Sequence, residues 1–515
     1  MRVALVLSYC LLSLYAYGQN DSNSVRKVTL LFTNDFESAY DPTEAYWRDD
    51  IRYIGGVAQL ASLIDSLRAT EPNVFLFDSG DIFTGTLAKL TNGALSFELM
   101  MTMGYDAMAI GNHEFEYGWE EFARQKNRVA FPVLGANLFY KGTSIPFAQP
   151  YTILERNGIR IGVIGILGQD AATALIPSNI AGVEVTDPKI TVQKAVDLLR
   201  PEVDLIVLLT HQGKTAPMQT DDEDPSVKRD IDADITLAGN VAGVDVLLGG
   251  HADAGTEKPV IHPESGTIIM QTYGQGFHLG YLQLTVDVND DKVLNHKGFL
   301  IPVNSDKLEP HRLVAAKLAG YRDRFPKIYE VVGQSEARLN RQYNRESDLG
   351  NLFADILCKE TGKPIGLMPS GALRKDLPRG SITREELLDA FPFNDRVVTL
   401  KITGQTLLKI LEQSLSLERG ILQVSGLQVH YDISQPIGDR VKKVKVGKKR
   451  LDPLAIYEVA TIEILAQGGD MYKAFLEAEA TDEPGPIFSK VLENYFKQAG
   501  QVSIPKRGRL INKVD

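Results

Sequence analysis

Five apolar runs in the first part of this chain are each followed closely by a residue that can bind a metal ion. The runs cover residues 28–32, 73–77, 108–110, 204–210 and 244–248, and amphipathic stretches separate them. Apolar strands that alternate with amphipathic helices are typical of α/β proteins with a mostly buried sheet. In such sheets, polar side chains at the carboxyl ends of the strands form the usual binding edge. The sequence therefore predicts an α/β fold with a polar cluster at that edge.

The side chains that follow these runs are ones that divalent cations prefer. Carboxylate and amide oxygens bind hard cations, and neutral imidazole binds borderline ones. Two cations about 3.5–4 Å apart need one bridging carboxylate and roughly three further ligands each. Asp81 is the candidate bridge because it follows Gly80, where the backbone can turn sharply. The predicted metal ligands are Asp35, Glu37, Asp81, Asn112, His211, His251 and Asp253.

The segment Gly-Asn-His-Glu-Phe-Glu at residues 111–116 supplies a histidine that the cations do not need. His113 is better used as a cation or proton donor that faces the oxygens on which charge develops. Glu116 follows three residues later and is expected to hold the second ring nitrogen of His113. His113 and Glu116 are therefore the predicted catalytic residues. The predicted chemistry is metal-assisted hydrolysis of a phosphate ester.

Residues 1–18 have the features of a signal peptide, with Arg2 at the start, an apolar stretch and small residues before Gln19. The apolar stretch is too short for a membrane span, so we expect no transmembrane segment. A lipid anchor at Cys10 is a weaker alternative, because the bulky Tyr9 precedes that cysteine. We expect an exported protein, periplasmic or extracellular, and surface attachment stays open.

The composition limits the partners and the domain organisation. The formal net charge is −11, and no basic cluster is evident, which argues against nucleic-acid polymers as partners. From Pro310, apolar residues recur at helical spacing until Phe325-Pro326, which predicts a linking helix. A second α+β unit is expected after it. The oligomeric state cannot be inferred from the sequence.

The ordered motifs resemble those of the two-domain 5′-nucleotidase family, whose amino-terminal half is a calcineurin-like metallophosphatase. The matching segments are residues 34–37, 80–85, 111–116, 210–211, 250–251, 345–351, 370–374, 391–393 and 468–470. The resemblance covers essentially the whole mature chain. It implies a four-layer metallophosphoesterase sandwich at residues 25–308, a linking helix at 309–332 and a smaller substrate-binding domain at 333–515.

The resemblance also implies how the second domain selects its substrate. Arg345 and Arg374 would contact the charged or ribose end of a nucleotide, Phe393 would stack on the base, and Asp470 would bind ribose hydroxyls. The implied enzyme hydrolyses nucleotides by attack of a metal-bound hydroxide, with two divalent ions. A 2′,3′-cyclic phosphodiesterase, a nucleotide-sugar hydrolase and a catalytically weak nucleotide-binding protein remain as alternatives.

The chain departs from the family pattern at several positions. Glu37 stands where the family usually has His, and Asp253 where it has Gln or His, so one metal position is rich in hard oxygen donors. Such donors favour Mn²⁺, Mg²⁺ or Fe²⁺ over Zn²⁺, although the sequence does not identify the native metal. Glu116 replaces the usual Asp, and Pro369 a common Asn. Ile464 stands where the family often has a second aromatic ring, which predicts a weaker grip on purines.

Overall fold

The computed structural model describes residues 24–45, 47–213, 231–480 and 483–513, so the predicted signal peptide lies outside the described residues. Two six-stranded sheets form the first half of the chain, here residues 24–308. In spatial order, the first sheet contains Lys292–Pro302, His278–Asp287, Val25–Thr33, Val74–Asp78, Ala107–Ala109 and Val133–Leu134. The second contains Val260–Ile261, Ile268–Gln271, Val246–Gly249, Leu205–His211, Ile159–Leu167 and Tyr151–Arg156. Two-stranded ribbons pair Pro42–Glu44 with Tyr53–Gly55, and Leu138–Tyr140 with Val183–Val185.

Each of the five apolar runs forms a strand. Val25–Thr33 and Val74–Asp78 are parallel neighbours, and Ala107–Ala109 continues the parallel set. In the second sheet, Leu205–His211 and Val246–Gly249 are also parallel. Because parallel strands end at the same edge, the polar segments after them leave each sheet together.

Alternate side chains along the strands fill different layers. Leu30 packs with Val207 between the two sheets, whereas Leu31 packs outward against the helices of residues 57–103. The helices of residues 188–240 cover the outer face of the second sheet. This order of helix, sheet, sheet and helix confirms the expected four-layer sandwich. The helices of this half are Val57–Thr70, Thr86–Thr91, Ala94–Met103, Trp119–Lys126, Pro188–Leu199 and Asp232–Asn240.

A helix at Arg312–Arg322 occupies the region of the predicted linking helix. Its buried residues Val314, Leu318 and Tyr321 pack into the core of the first half. The Tyr321 hydroxyl donates a hydrogen bond of 2.6 Å to Glu98 Oε1. The helix therefore forms part of the helical layer of the first half.

The second half, here residues 331–513, has the α+β organisation that the sequence predicts. Its three sheets, in spatial order, are Gly380–Thr383, Val331–Ser335 and Gln501–Val502; Leu422–Ser425, Ile365–Pro369, Ile456–Ile462, Val397–Thr403 and Glu479–Ala480; and Lys449–Arg450, Val441–Val446, Leu427–Tyr431 and Leu510–Asn512. Its helices are Asp348–Thr361, Arg384–Ala390, Gly404–Ser414, Glu463–Ala466 and Phe488–Ala499. Among the described residues, no helix is long and apolar enough to cross a membrane.

Candidate active site

The Asp81 carboxylate lies among buried histidines at the ends of the strands. Its Oδ2 is 3.0 Å from His211 Nε2, and its Oδ1 accepts a hydrogen bond of 2.7 Å from the backbone N–H of His113. Potential ligand atoms of Asp81, His211 and His251 all lie within 4.8 Å of one another. Strand ends from both sheets therefore converge on one carboxylate.

Asn112, Asp35 and Asp253 border the same group. Asn112 Oδ1 is 3.1 Å from His211 Nε2. Asp35 Oδ2 accepts a hydrogen bond of 2.8 Å from the backbone N–H of His251, and Asp35 Oδ1 is 4.0 Å from His211 Nε2. Asp253 lines the cavity beside them. The structure thus brings these three predicted ligands to the same place as the histidines.

Glu37 belongs to a second group of possible metal ligands, together with Asp81 and His113. His113 Nε2 lies 3.5 Å from Glu37 Oε1 and 3.9 Å from Asp81 Oδ2. Within the described part of the chain, Asp81 is the member common to both groups. Its position between them is what a bridging carboxylate requires.

Most of the predicted ligands have a strained backbone. A positive φ costs a residue other than glycine about 1–3 kcal/mol, and such residues cluster at ligand sites, where the surrounding structure holds them. Five of the predicted ligands adopt it, namely Asp35 (48°), Glu37 (45°), Asp81 (61°), His251 (73°) and Asp253 (48°). Such a concentration of strained residues in one place is typical of a ligand site.

Two glycines allow the strand ends to approach each other closely. A Cβ atom on Gly111 would lie 2.2 Å from Asp81 Oδ1. A Cβ atom on Gly250 would lie 2.7 Å from the carbonyl oxygen of Ser79 and 3.2 Å from Asp35 Oδ2. Because the distances of 2.2 and 2.7 Å are too short for a real Cβ atom, larger residues at either position would push the strand ends apart.

His113 is held by the acidic partner that the sequence predicts. Its Nδ1 is 3.1 Å from Glu116 Oε2, which also accepts a hydrogen bond of 2.7 Å from the Thr84 hydroxyl. The longer side chain of Glu116 therefore reaches the ring. Because Nδ1 is engaged in this way, Nε2 is the ring nitrogen that faces Glu37 and Asp81.

Burial and mutual interaction shift the pKa values of the cluster. Burial raises the pKa of Asp35 to about 7. Burial also acts to raise the pKa of Asp81, but His211 and His113 outweigh it and hold that pKa below its ordinary value. Burial acts to lower the pKa of His113 and His211, yet Asp81 leads the groups that raise them to about 9 and about 10. Burial and then His211 lower the pKa of His251, which leaves that imidazole neutral.

The second half closes a cavity over this cluster. Arg374 of the second half forms an ion pair with Glu37 of the first. The Phe393 ring stacks on the His113 ring, with centroids 6.0 Å apart and planes 22° apart. Asp470 lines the same cavity, and its backbone N–H donates a hydrogen bond of 3.0 Å to the carbonyl oxygen of Thr173. Three of the four predicted substrate residues therefore face the predicted metal ligands.

Arg345 is the exception, because it is absent from the residues that line the cavity. Arg341 and Tyr343, which precede it in the same segment, line the cavity instead. Arg419 is a further lining residue, and its Nη1 lies 3.4 Å from His251 Nε2. Sequence reasoning missed these three residues. No motif in the sequence pointed to them.

Two carboxyl groups of the second half, those of the buried Asp395 and the half-buried Asp470, also line the cavity. Burial raises the pKa of Asp395 to about 7, and its Oδ1 accepts a hydrogen bond of 2.8 Å from the backbone N–H of Ile464. Burial raises the pKa of Asp470 as well. The substrate side of the cavity is thus polar, with Phe393 and Ile464 as its apolar part.

Two family models match the chain. The model of the calcineurin-like phosphoesterases matches residues 28–252, and the model of the 5′-nucleotidase C-terminal domain matches residues 330–477. The chain belongs to the two-domain 5′-nucleotidase family. This membership, with the site described above, makes it a metal-dependent phosphoric ester hydrolase.

Two relatives and one solved structure resemble this 5′-nucleotidase family member over most of their length. It is 29% identical to a 5′-nucleotidase of Diplobatis ommata over 94% of this chain and 90% of that one. It is 28% identical to a 5′-nucleotidase of Vibrio cholerae over 94% and 93%. The solved structure of a 5′-nucleotidase precursor from Thermus thermophilus superposes with a TM-score of 0.83 at 28% identity and covers 95% of this chain and 99% of that one.

The donor set of this family member fits divalent cations. Carboxylate oxygens, one amide oxygen and two imidazoles surround Asp81, and this combination suits first-row divalent ions. Neutral His251 is ready to bind a cation without losing a proton. Glu37 is less available to a cation, because its carboxylate already forms an ion pair with Arg374.

Proposed function

We propose that this protein is an exported hydrolase that removes phosphate from nucleotides with the help of two divalent cations. The observation that carries the proposal is the position of Asp81, which has potential ligand atoms of His211 and His251 close to it in one group and of Glu37 in another. The similarity to 5′-nucleotidases along nearly the whole chain supports nucleotides as the substrate class. The predicted signal peptide at residues 1–18 supports export.

The two cations would share the Asp81 carboxylate. When bound, they would lower the pKa of a water molecule and polarise a phosphoryl oxygen. Asp35, Glu37 and Asp253 would complete one position, and Asn112, His211 and His251 the other. The first position offers oxygen donors alone, which supports Mn²⁺, Mg²⁺ or Fe²⁺ there.

His113 would stabilise the charge that develops on the reacting phosphate. Glu116 fixes its ring through Nδ1, so that Nε2 faces the carboxylates of Asp81 and Glu37. Burial acts to lower the pKa of this ring, but in the absence of cations Asp81 and Glu116 raise it to about 9, which favours the protonated form. A charged donor fixed in this way favours the transition state over the ground state, since it needs no reorganisation.

The second half, residues 333–515, would select the substrate, and residues 25–308 would carry out catalysis. Residues 309–332 would form the helix that links them. Arg374 and Arg419 place positive charge beside Glu37 and His251, where a phosphate group would lie. Arg341 adds a third guanidinium to the cavity wall. Phe393 would contact the base, and Asp470 the ribose.

A substrate panel tests this proposal. Purified protein with Mn²⁺ is expected to release phosphate from a nucleoside monophosphate, and Asp81→Asn is the matched inactive control. Reactions with a 2′,3′-cyclic nucleotide and with a nucleotide sugar, followed by chromatography that detects a nucleoside monophosphate product, reveal the alternative hydrolases. Nucleotide binding without release of product from any of these compounds would overturn the proposal in favour of a binding protein.

Export needs a separate test. Cells that express the full chain are expected to hold the activity outside the cytoplasm, and cells that express residues 19–515 to hold it inside. Equal distribution of the two proteins would contradict export but would leave the hydrolase proposal intact.

A further inference from the structure

The segment of residues 442–450 contradicts the expectation that the chain has no basic cluster. It carries six cations and no carboxylate in a chain whose net charge is −11. The strands Val441–Val446 and Lys449–Arg450 pair as a hairpin at the edge of a four-stranded sheet. The net negative charge of the whole chain does not reveal this basic hairpin, residues 441–450.

The strand register places three of these cations on the outer face of the sheet. Val444 pairs with Val429, and both are buried against the helix Gly404–Ser414. Successive side chains point to opposite faces, so the neighbours of Val444 point outward. The outward set includes Lys443, which pairs with His430, and Lys445, which pairs with Gln428 and Arg450.

Most of these cations lack an acidic partner within the described part of the chain. No carboxylate there lies within 4.0 Å of the charged groups of Lys443, Lys445, Lys448, Lys449 and Arg450. Lys442 differs, because its Nζ is 3.7 Å from Asp439. Three unpaired cations on one face of the sheet, Lys443, Lys445 and Arg450, produce a positive potential that an anionic partner would meet first.

Two exposed apolar side chains follow the basic hairpin in the sequence. Leu454 is 90% exposed and Ile456 is 68% exposed. Residues 441–456 contain no aromatic side chain, so the surface lacks the stacking platform typical of proteins that bind single-stranded nucleic acid. Cations that are followed closely in the sequence by exposed aliphatic side chains instead suit the interface of a lipid bilayer.

We propose that the basic hairpin docks the protein on a bilayer that carries anionic phosphate head groups. The lysines and Arg450 would contact the head groups, and Leu454 would enter the interface. Since the rest of the chain is acidic, an anionic surface would repel the other faces and fix this orientation. Each cation near such a surface contributes roughly a fivefold gain in partitioning.

Vesicle sedimentation of the full-length protein tests the proposal. We expect binding to vesicles of phosphatidylglycerol and phosphatidylcholine at low salt, release as the salt concentration rises, and no binding to phosphatidylcholine alone. The variant Lys443→Glu, Lys445→Glu and Arg450→Glu is expected to lose at least about 100-fold in partitioning, since three cations are reversed. Equal binding to both kinds of vesicle, or to neither, would overturn the proposal.

A matched control separates the hairpin from net charge. Lys27, Lys194 and Lys292 are exposed lysines scattered over the first half, and their change to Glu alters the net charge by the same amount. This control is expected to bind vesicles like the unchanged protein. Hydrolysis of a soluble phosphate ester should be unchanged in both variants, which shows that they fold. If the triple Glu variant of the basic hairpin loses this hydrolysis, the milder variant Lys443→Gln, Lys445→Gln and Arg450→Gln replaces it.

Two further results would contradict the proposal. Equal loss of binding in the scattered control would show that net charge, rather than the basic hairpin, is responsible. Tighter binding to double-stranded DNA than to anionic vesicles would identify a nucleic-acid polymer as the partner instead.

Discussion

The two halves of the candidate site are built in different ways. In the first half, the predicted ligands follow strands of two sheets, and the sheets fix where those strands end. In the second half, the cavity residues Arg374, Phe393 and Arg419 lie in turns between elements, and tertiary packing sets their positions. The comparison supports the proposal that the first half would carry out the chemistry and that loops of the second half would select the substrate.

The largest effect is expected from Asp81→Asn. The change removes the one carboxylate that both ligand groups share, so hydrolysis of every substrate should fall below detection. Phosphate release measures the loss. If this variant kept substantial activity, the first half would not be the catalytic one.

A change of His113 should be severe but smaller. His113→Asn keeps a polar side chain yet removes the charged donor, so kcat should fall roughly 10²–10³-fold with little change in KM. Steady-state kinetics with one nucleotide measure kcat and KM separately. A rise in KM at constant kcat would show that His113 binds substrate uniformly and does not act in the transition state.

Arg374→Ala tests the substrate side. The loss of a charge-assisted contact should raise KM for a nucleotide roughly tenfold to a hundredfold. Arg345→Ala is the matched control, because Arg345 does not line the cavity, and its KM should stay within about twofold. Equal effects of the two changes would mean that the cavity has been assigned to the wrong arginine.

The smallest effects concern the base. Phe393→Leu should raise KM for nucleotides, since one base–ring contact is worth roughly 1–3 kcal/mol, and should leave KM for ribose 5-phosphate unchanged. Ile464→Phe adds a second ring and should lower KM for purine nucleotides a few-fold. An equal rise in KM for ribose 5-phosphate in Phe393→Leu would show that the ring shapes the active site and does not contact the base.

Much of the first half could be predicted from the sequence. Buried strands, glycines and metal-binding residues occur there at fixed offsets, so Asp35, Asp81 and His251 were recognisable before their contacts were known. The family resemblance added the order of the layers. The pairing of Glu37 with Arg374 could not be predicted, because it depends on how the second half packs over the first.

The second half was less predictable. Arg341 and Tyr343 carry no motif of their own, and only the packing of their segment directs them toward the cavity. Arg419 precedes Gly420, whose φ of +74° lets the turn pack against Ser370 and Tyr343. A contact of this kind depends on tertiary structure, and local periodicity does not report it.

The central claim is most directly tested by counting the metal ions in the purified protein. Elemental analysis should find two divalent ions per chain, with Mn, Mg or Fe in at least one position, and fewer than two in Asp81→Asn. Two tightly bound zinc ions in freshly purified protein would contradict the predicted metal preference. Two ions retained by Asp81→Asn would contradict the claim that this carboxylate joins the two metal positions.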